Sequence, residues 1–230
     1  MNRIGLLLPS TNTTMEPDFY RLIPKDITVH STRMALKDVT PKSLEKMAEE
    51  ADRAAWLLAT ANMDVLVYGC TSGSLIRGVK WEQALVQRLH EVSKIPVVTT
   101  AGAVIEALRF IEAKNIQVVT PYTEPVNRLE KEFLQGYGFK VLSIKGLGLI
   151  DNQMIGKVSS STVGSLMDAS KETDCVFISC TNLPVVSMIQ KLENKHGIPI
   201  ITSNQASIWA TLRSLGHSGV KGYGVLLSSL

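Results

Sequence analysis

The sequence predicts an α/β fold of two pseudo-symmetric lobes, each a parallel sheet flanked by helices, with a cleft between them. Two observations carry that prediction. Short apolar runs alternate with longer amphipathic ones along the whole chain, as strands buried on both faces alternate with helices buried on one. The second half also repeats landmarks of the first in the same order. Arg3–Leu8 before Pro9-Ser10-Thr11-Asn12-Thr13 matches Ile116–Thr120 before Pro121-Tyr122-Thr123. Asp64-Val65-Leu66-Val67-Tyr68-Gly69-Cys70-Thr71 matches Asp174-Cys175-Val176-Phe177-Ile178-Ser179-Cys180-Thr181, and Ile95-Pro96-Val97-Val98-Thr99 matches Ile198-Pro199-Ile200-Ile201-Thr202. Three matched landmarks imply two βαβ lobes related by a pseudo-twofold axis.

Taken in order, strands are expected at Arg3–Leu8, Ile27–Thr32, Val65–Gly69 and Pro96–Thr99, then at Ile116–Thr120, Lys140–Ser143, Cys175–Ser179 and Pro199–Thr202. A ninth, Tyr223–Leu227, would cross back to complete the first lobe. Helices are expected at Pro41–Ala61, Trp81–Val92, Ala103–Ala113, Thr123–Gln135, Ser160–Lys171, Pro184–Lys195 and Gln205–Leu215. Thr40 can cap the helix that opens with Pro41, where the missing N–H costs nothing, and Asn204 can cap the one that opens with Gln205. The lobes then divide as 1–100 plus 204–230 and 101–203, with no Pro/Gly/Ser-rich linker between them.

Composition narrows the function. The chain has 230 residues, 45% hydrophobic and 20% charged, which suits a globular protein with a sizeable core. Its net charge of +3 is spread along the chain with no basic run, which argues against nucleic acid and suits a small anionic substrate. Three cysteines, an odd number, argue against a secreted disulfide framework. The apolar stretch from Ile4 to Leu8 is too short for a signal peptide or a membrane span, so a cytoplasmic protein with reduced thiols is expected. Cys175 and Cys180 with His196 do not provide zinc-site spacing, so no metal is expected. No phosphate-binding or dinucleotide fingerprint occurs, since Gly146-Leu147-Gly148 lacks the third glycine, and no cofactor is expected. His90 and His196, at helix ends, read as solvated, and His30 as structural. The exposed helical faces make a homo-oligomer, plausibly a dimer, the expected assembly.

The candidate chemistry is thiol chemistry. Cys70 in Gly-Cys-Thr-Ser and Cys180 in Ser-Cys-Thr-Asn each end an apolar strand. In parallel sheets ligands bind beyond the carboxyl ends of strands, so both cysteines, with Asn12 and Tyr122, should meet in the inter-lobe cleft. A thiol at a strand-to-helix turn lies near free amides and the positive end of a helix, which lowers its pKa. Cys175, inside its strand, reads as a core residue.

These residues resemble the aspartate/glutamate racemase superfamily, and within it the branch of maleate cis-trans isomerase and arylmalonate decarboxylase. Pro9-Ser10-Thr11-Asn12-Thr13-Thr14-Met15-Glu16 looks like the opening loop of maleate isomerases; both cysteine motifs, Thr120-Pro121-Tyr122 and Asp151-Asn152 add to the likeness. The resemblance implies that Cys70 attacks an alkene carbon and Cys180 acts as general acid, with no cofactor. It also implies that Asn12, Tyr122 and Asn152 hold substrate carboxylates, helped by backbone amides near Thr71, Ser72, Thr181 and Asn182. Racemases of the superfamily usually carry an Asp-Ser-Gly-type first loop and a histidine soon after the second cysteine; here Thr181-Asn182-Leu183 follows it. Arylmalonate decarboxylases have glycine at the first cysteine site. Two alternatives stay open: racemisation of an amino acid or hydantoin by two opposed thiols, and a carboxylate-binding module without turnover.

Overall fold

The structure, a computed structural model, describes all 230 residues. The first half runs β1 (Asn2–Pro9), α1 (Met15–Leu22), β2 (Ile27–Met34), α2 (Pro41–Ala48), α3 (Ala51–Ala59), β3 (Val65–Tyr68), α4 (Thr71–Leu75), α5 (Val79–Ser93), β4 (Val97–Thr99) and α6 (Thr100–Phe110). The second runs β5 (Asn115–Thr120), α7 (Glu124–Gly136), β6 (Lys140–Gly146), α8 (Asn152–Ile155), α9 (Ser160–Ser165), β7 (Cys175–Ile178), α10 (Ile189–His196), β8 (Ile200–Thr202), α11 (Ser203–Ser214) and α12 (Gly224–Ser228). The strands form two parallel sheets of the same order, β2-β1-β3-β4 and β6-β5-β7-β8. One continuous apolar core runs through both. No helix is long and apolar enough to cross a membrane.

The repeat reaches down to single hydrogen bonds. Asp64 accepts the Arg3 amide at 2.7 Å where β1 begins, and Asp174 accepts the Lys114 and Asn115 amides at 2.9 and 2.7 Å where β5 begins. At the other end, the Gly69 amide donates to Leu7 O and the Ser179 amide to Val119 O, both at 2.8 Å. Cys70 and Cys180 therefore leave their sheets at equivalent places. Each half also buries all four residues of its central strand, Val65–Tyr68 and Cys175–Ile178, as a sheet covered on both faces requires.

Several boundaries differ from expectation, each for a tertiary reason. Tyr223–Leu227 is not a strand: Gly224–Ser228 is a helical turn packed on α10 and α11, so nothing is added to the first sheet. Side chains of α10 hold its start, Gln190 accepting the Gly224 amide and Glu193 the Val225 amide. The span Pro41–Ala61 is two helices, because the Ala48 carbonyl accepts from Arg88 of α5. Thr40 does cap the first, accepting the Ser43 amide at 3.3 Å. Helix α9 ends before Lys171, where Gln117 of β5 takes the Asp168 amide. The segment after Pro184 winds tightly at Val186–Met188 and becomes α-helix only at Ile189. Asn204 is not a cap. Thr202 caps α11 in a reciprocal pair with Gln205, and Asn204 points back to Asp18 and to the Thr181 carbonyl. His196 is half-buried rather than solvated, its Nε2 enclosed without a partner.

Candidate active site

Residues just beyond the carboxyl ends of β1, β3, β5 and β7 converge on one small, largely buried cavity. Cys70 and Cys180 both line it, with Pro9, Asn12, Leu36, Val39, Ser72, Tyr122, Asn152 and Thr181. Its volume is about 10 Å³, room for roughly one water-sized sphere. Larger open clefts exist, one of about 430 Å³ at Glu82, Thr99, Glu106 and Arg213, but that one holds no cysteine. No three His, Cys, Asp or Glu side chains converge on a position that could hold a metal ion.

Local structure presents the two sulfurs differently. Cys70 has extended backbone (φ −146°) and caps α4, its Sγ accepting the Gly73 amide at 3.3 Å with Ser72 Oγ at 3.7 Å. Cys180 sits at φ +119°, a strained conformation for any residue with a Cβ, and no helix follows it directly. Its Sγ accepts the Asn182 amide at 3.4 Å and its own amide donates to Ser203 Oγ at 3.0 Å.

Both thiols are pushed up rather than down, contrary to the sequence expectation. For Cys70, burial outweighs the Gly73 and Ser72 donors. For Cys180, burial dominates and lifts the pKa to about 12, against donation from Tyr122 and Asn182; negative charge at Cys70 or Glu130 lifts it further. In the closed cavity the amides near each sulfur do not replace the water lost.

With this geometry in place, the comparisons with known proteins are decisive. The family model for arylmalonate decarboxylase matches residues 4–227. A maleate isomerase of Pseudomonas putida is 31% identical, over 98% of this chain and 97% of its own. The chain belongs to the arylmalonate decarboxylase and maleate isomerase family. Among solved structures, a cysteine-to-alanine variant of a Pseudomonas putida maleate isomerase with maleate superposes with a TM-score of 0.95 at 29% identity, covering 99% of this chain and 97% of that one. A cysteine-to-serine variant of the Nocardia farcinica maleate cis-trans isomerase, carrying a covalently bound succinylcysteine intermediate, also reaches 0.95, at 28% identity over 100% and 99% of the two chains.

Within this family member, the two lobes are laced together around the cavity. Asn12 Oδ1 accepts the Thr14 and Met15 amides at 3.0 Å, so it does serve the turn into α1, while its Nδ2 reaches across to Thr181 Oγ1 at 2.9 Å. Thr181 passes the contact on to Gly69 O at 3.1 Å. Asn152 donates to Thr11 Oγ1 at 2.9 Å. Tyr122 is buried, its ring against the cavity and its amide held by Thr120. The side chains of two residues expected to lend backbone amides are engaged elsewhere. The Thr71 hydroxyl donates to Ser203 Oγ at 2.8 Å, and Asn182 braces Thr13 and Asn152 at 2.9 and 2.7 Å. Cys175, inside β7, does not line the cavity.

The cavity roof was not anticipated from sequence. The segment after β2 crosses to the segment after β6: Val39 donates to Ile150 O at 2.8 Å, and Asp38 bridges Asp151. Leu36 and Val39 thereby put hydrocarbon over the thiols. Ser203 was missed as well, although its place in the repeat, opposite Thr100 and directly after a capping threonine, marked it.

Proposed function

We propose that this protein interconverts the cis and trans forms of a small unsaturated dicarboxylate, with maleate to fumarate the reference reaction. The observation that carries the reading is the placement of two cysteines in one closed, polar-lined cavity, in a chain whose full length matches maleate isomerases. Cys70 loses its proton while the cleft is open and hydrated, and its sulfur adds to one alkene carbon. The π electron pair moves to the neighbouring carbon and takes the proton of Cys180, leaving a succinyl thioether and a Cys180 thiolate. Rotation about the new single bond follows. Cys180 then reclaims the proton, the double bond re-forms, and the C–S pair returns to Cys70 as the trans acid leaves. Nothing is oxidised or reduced, and one sulfur is ionised at every stage.

Asn12, Tyr122, Asn152, Ser72 and Thr181 surround the cavity with donors suited to two carboxylates, with the amides near Thr71 and Asn182 as supporting donors. The apolar roof of Leu36 and Val39 keeps water from the adduct. Three free thiols suit a reducing, cytoplasmic setting, and exposed Trp56 and Phe110 suit a homo-oligomer. Proton NMR of the reduced protein with maleate tests the reading. Fumarate should appear, without solvent deuterium entering a saturated amino-acid α-carbon in parallel trials. Absence of fumarate at high enzyme concentration, with α-deuteration of an amino acid or hydantoin, would replace isomerisation by racemisation.

A further inference from the structure

Behind Cys180 lies a polar pair that the reaction as written does not use. Glu130, on α7, is fully buried, and neither carboxyl oxygen has a hydrogen-bond partner. The Ser179 hydroxyl, on the residue that precedes Cys180, is fully buried and unpartnered too. Leaving such groups unpaired inside a protein is costly, and an apolar side chain would fit beside Val126, Phe133 and Leu134 on α7's buried face, where the other polar residue, Asn127, is paired with Thr120.

The pseudo-symmetry sharpens the point. The residue matching Ser179 is Gly69, where an added Cβ would lie 2.6 Å from Leu8 and 2.7 Å from Met15. The first cysteine thus stands on hydrocarbon and thioether, and the second on a hydroxyl and a carboxyl. Two equivalent strand ends differ in the one property that would distinguish two thiols.

We propose that Glu130, with Ser179, is a positioning residue that holds Cys180 in its thiol form and so divides the roles of acid and nucleophile between two otherwise matched cysteines. This rests on the reading of Cys180 as the acid. Burial lifts the carboxyl to about 7, tempered by Ser179. The titratable groups that sense it are Cys180 at the end of β7 and Tyr122 in the turn before α7. Helix α4, which packs on α7, brings no charged side chain. Above neutrality the carboxylate opposes a thiolate at Cys180, and burial of Cys70 carries no corresponding opposition from Glu130. When Cys180 gives its proton to the substrate carbon, the same charge makes the resulting thiolate a stronger base, ready to take that proton back. Glu130 itself exchanges no proton with substrate.

The deciding experiment is a thiolate absorbance titration of the full chain carrying Cys70→Ser and Cys175→Ser, with and without Glu130→Gln. Cys180 thiolate at pH 9 should rise about tenfold on removing the carboxylate, the equivalent of one pH unit. Ser179→Ala, which removes the donor that favours the carboxylate, should move the curve the same way and by less. Superimposable titrations from folded variants overturn the proposal. In the cysteine-intact protein, the pH profile of maleate turnover should inflect near 7, lose that inflection in Glu130→Gln and keep it in Glu130→Asp. If maleate is not turned over, the isomerase reading falls while the titration still decides the role of Glu130. If turnover proceeds with unchanged profiles and only thermal stability shifts, Glu130 is structural and the proposal fails.

Discussion

The end of β3 and the end of β7 are built to one plan and finished differently. At both, an apolar strand gives way to a cysteine and a threonine, and a backbone amide two or three residues on approaches the sulfur. At Cys70 the chain stays extended and rolls into a helix whose first turn the sulfur caps. At Cys180 it twists to positive φ, no helix takes up the turn, and the preceding residue is a serine beside a buried glutamate instead of a glycine against methionine. A duplicated scaffold delivers two identical groups to one place, and local departures from symmetry give them different surroundings.

The comparison is broken most completely by deleting each sulfur in turn. Cys70→Ala should lower maleate turnover by about 10⁴-fold or more, since the adduct cannot form. Cys180→Ala should cost about 10²–10⁴-fold, the range of a lost general acid, and should accumulate a covalent adduct on Cys70 visible by intact mass. Equal loss with no adduct in either variant would remove the division of roles.

The next effect is a pH dependence of stability. The folded pKa of Glu130, about 7, lies above the ordinary glutamate value of 4.5, so the native state holds a proton that the unfolded chain releases between those values. Its contribution to stability therefore falls as pH rises from about 4.5 to 7 and is constant above, a change on the order of 3 kcal/mol. Glu130→Gln should flatten that decline in denaturant melts at pH 5 and 8. A parallel shift at both values would contradict it.

Exchanging the residues before each cysteine should have a one-sided result. Gly69→Ser drives a Cβ into Leu8 and Met15 and should cost about 1–3 kcal/mol, whereas Ser179→Gly meets no such clash. The smallest effect concerns backbone strain. At Cys180 glycine should be more stable than alanine by about 1 kcal/mol, because φ is positive there; at Cys70, with φ −146°, alanine should be the more stable. The same order at both sites would show that Cys180 is unstrained.

What the sequence revealed was what repetition and apolar runs encode: eight strands, their parallel pairing and the convergence of Cys70, Cys180, Asn12 and Tyr122, with Asn152 added only by the family resemblance. Its errors have physical sources. Tyr223–Leu227 is a short apolar run without periodicity, which a strand and a buried helical turn satisfy equally. Asn204 satisfied a local capping rule, yet Thr202 and Gln205 already spelled the reciprocal capping pair. The side chains of Thr71 and Asn182 are taken up by Ser203, Thr13 and Asn152, partners distant in sequence that no local pattern announces. The direction of the thiol pKa values depends on how much water the fold excludes, and that is set by the crossing of two distant loops.

The crossing has a consequence for the survival of the enzyme itself. With Val39 tied to Ile150, a chamber of about 10 Å³ is too small for a disulfide such as oxidised glutathione and leaves Cys70 and Cys180 only 4% and 6% exposed. Sulfenic acid formation needs an exposed thiolate. Oxidative inactivation should therefore be slow in the resting protein, and an occupant of the chamber should slow it further by covering the very residues that consume it.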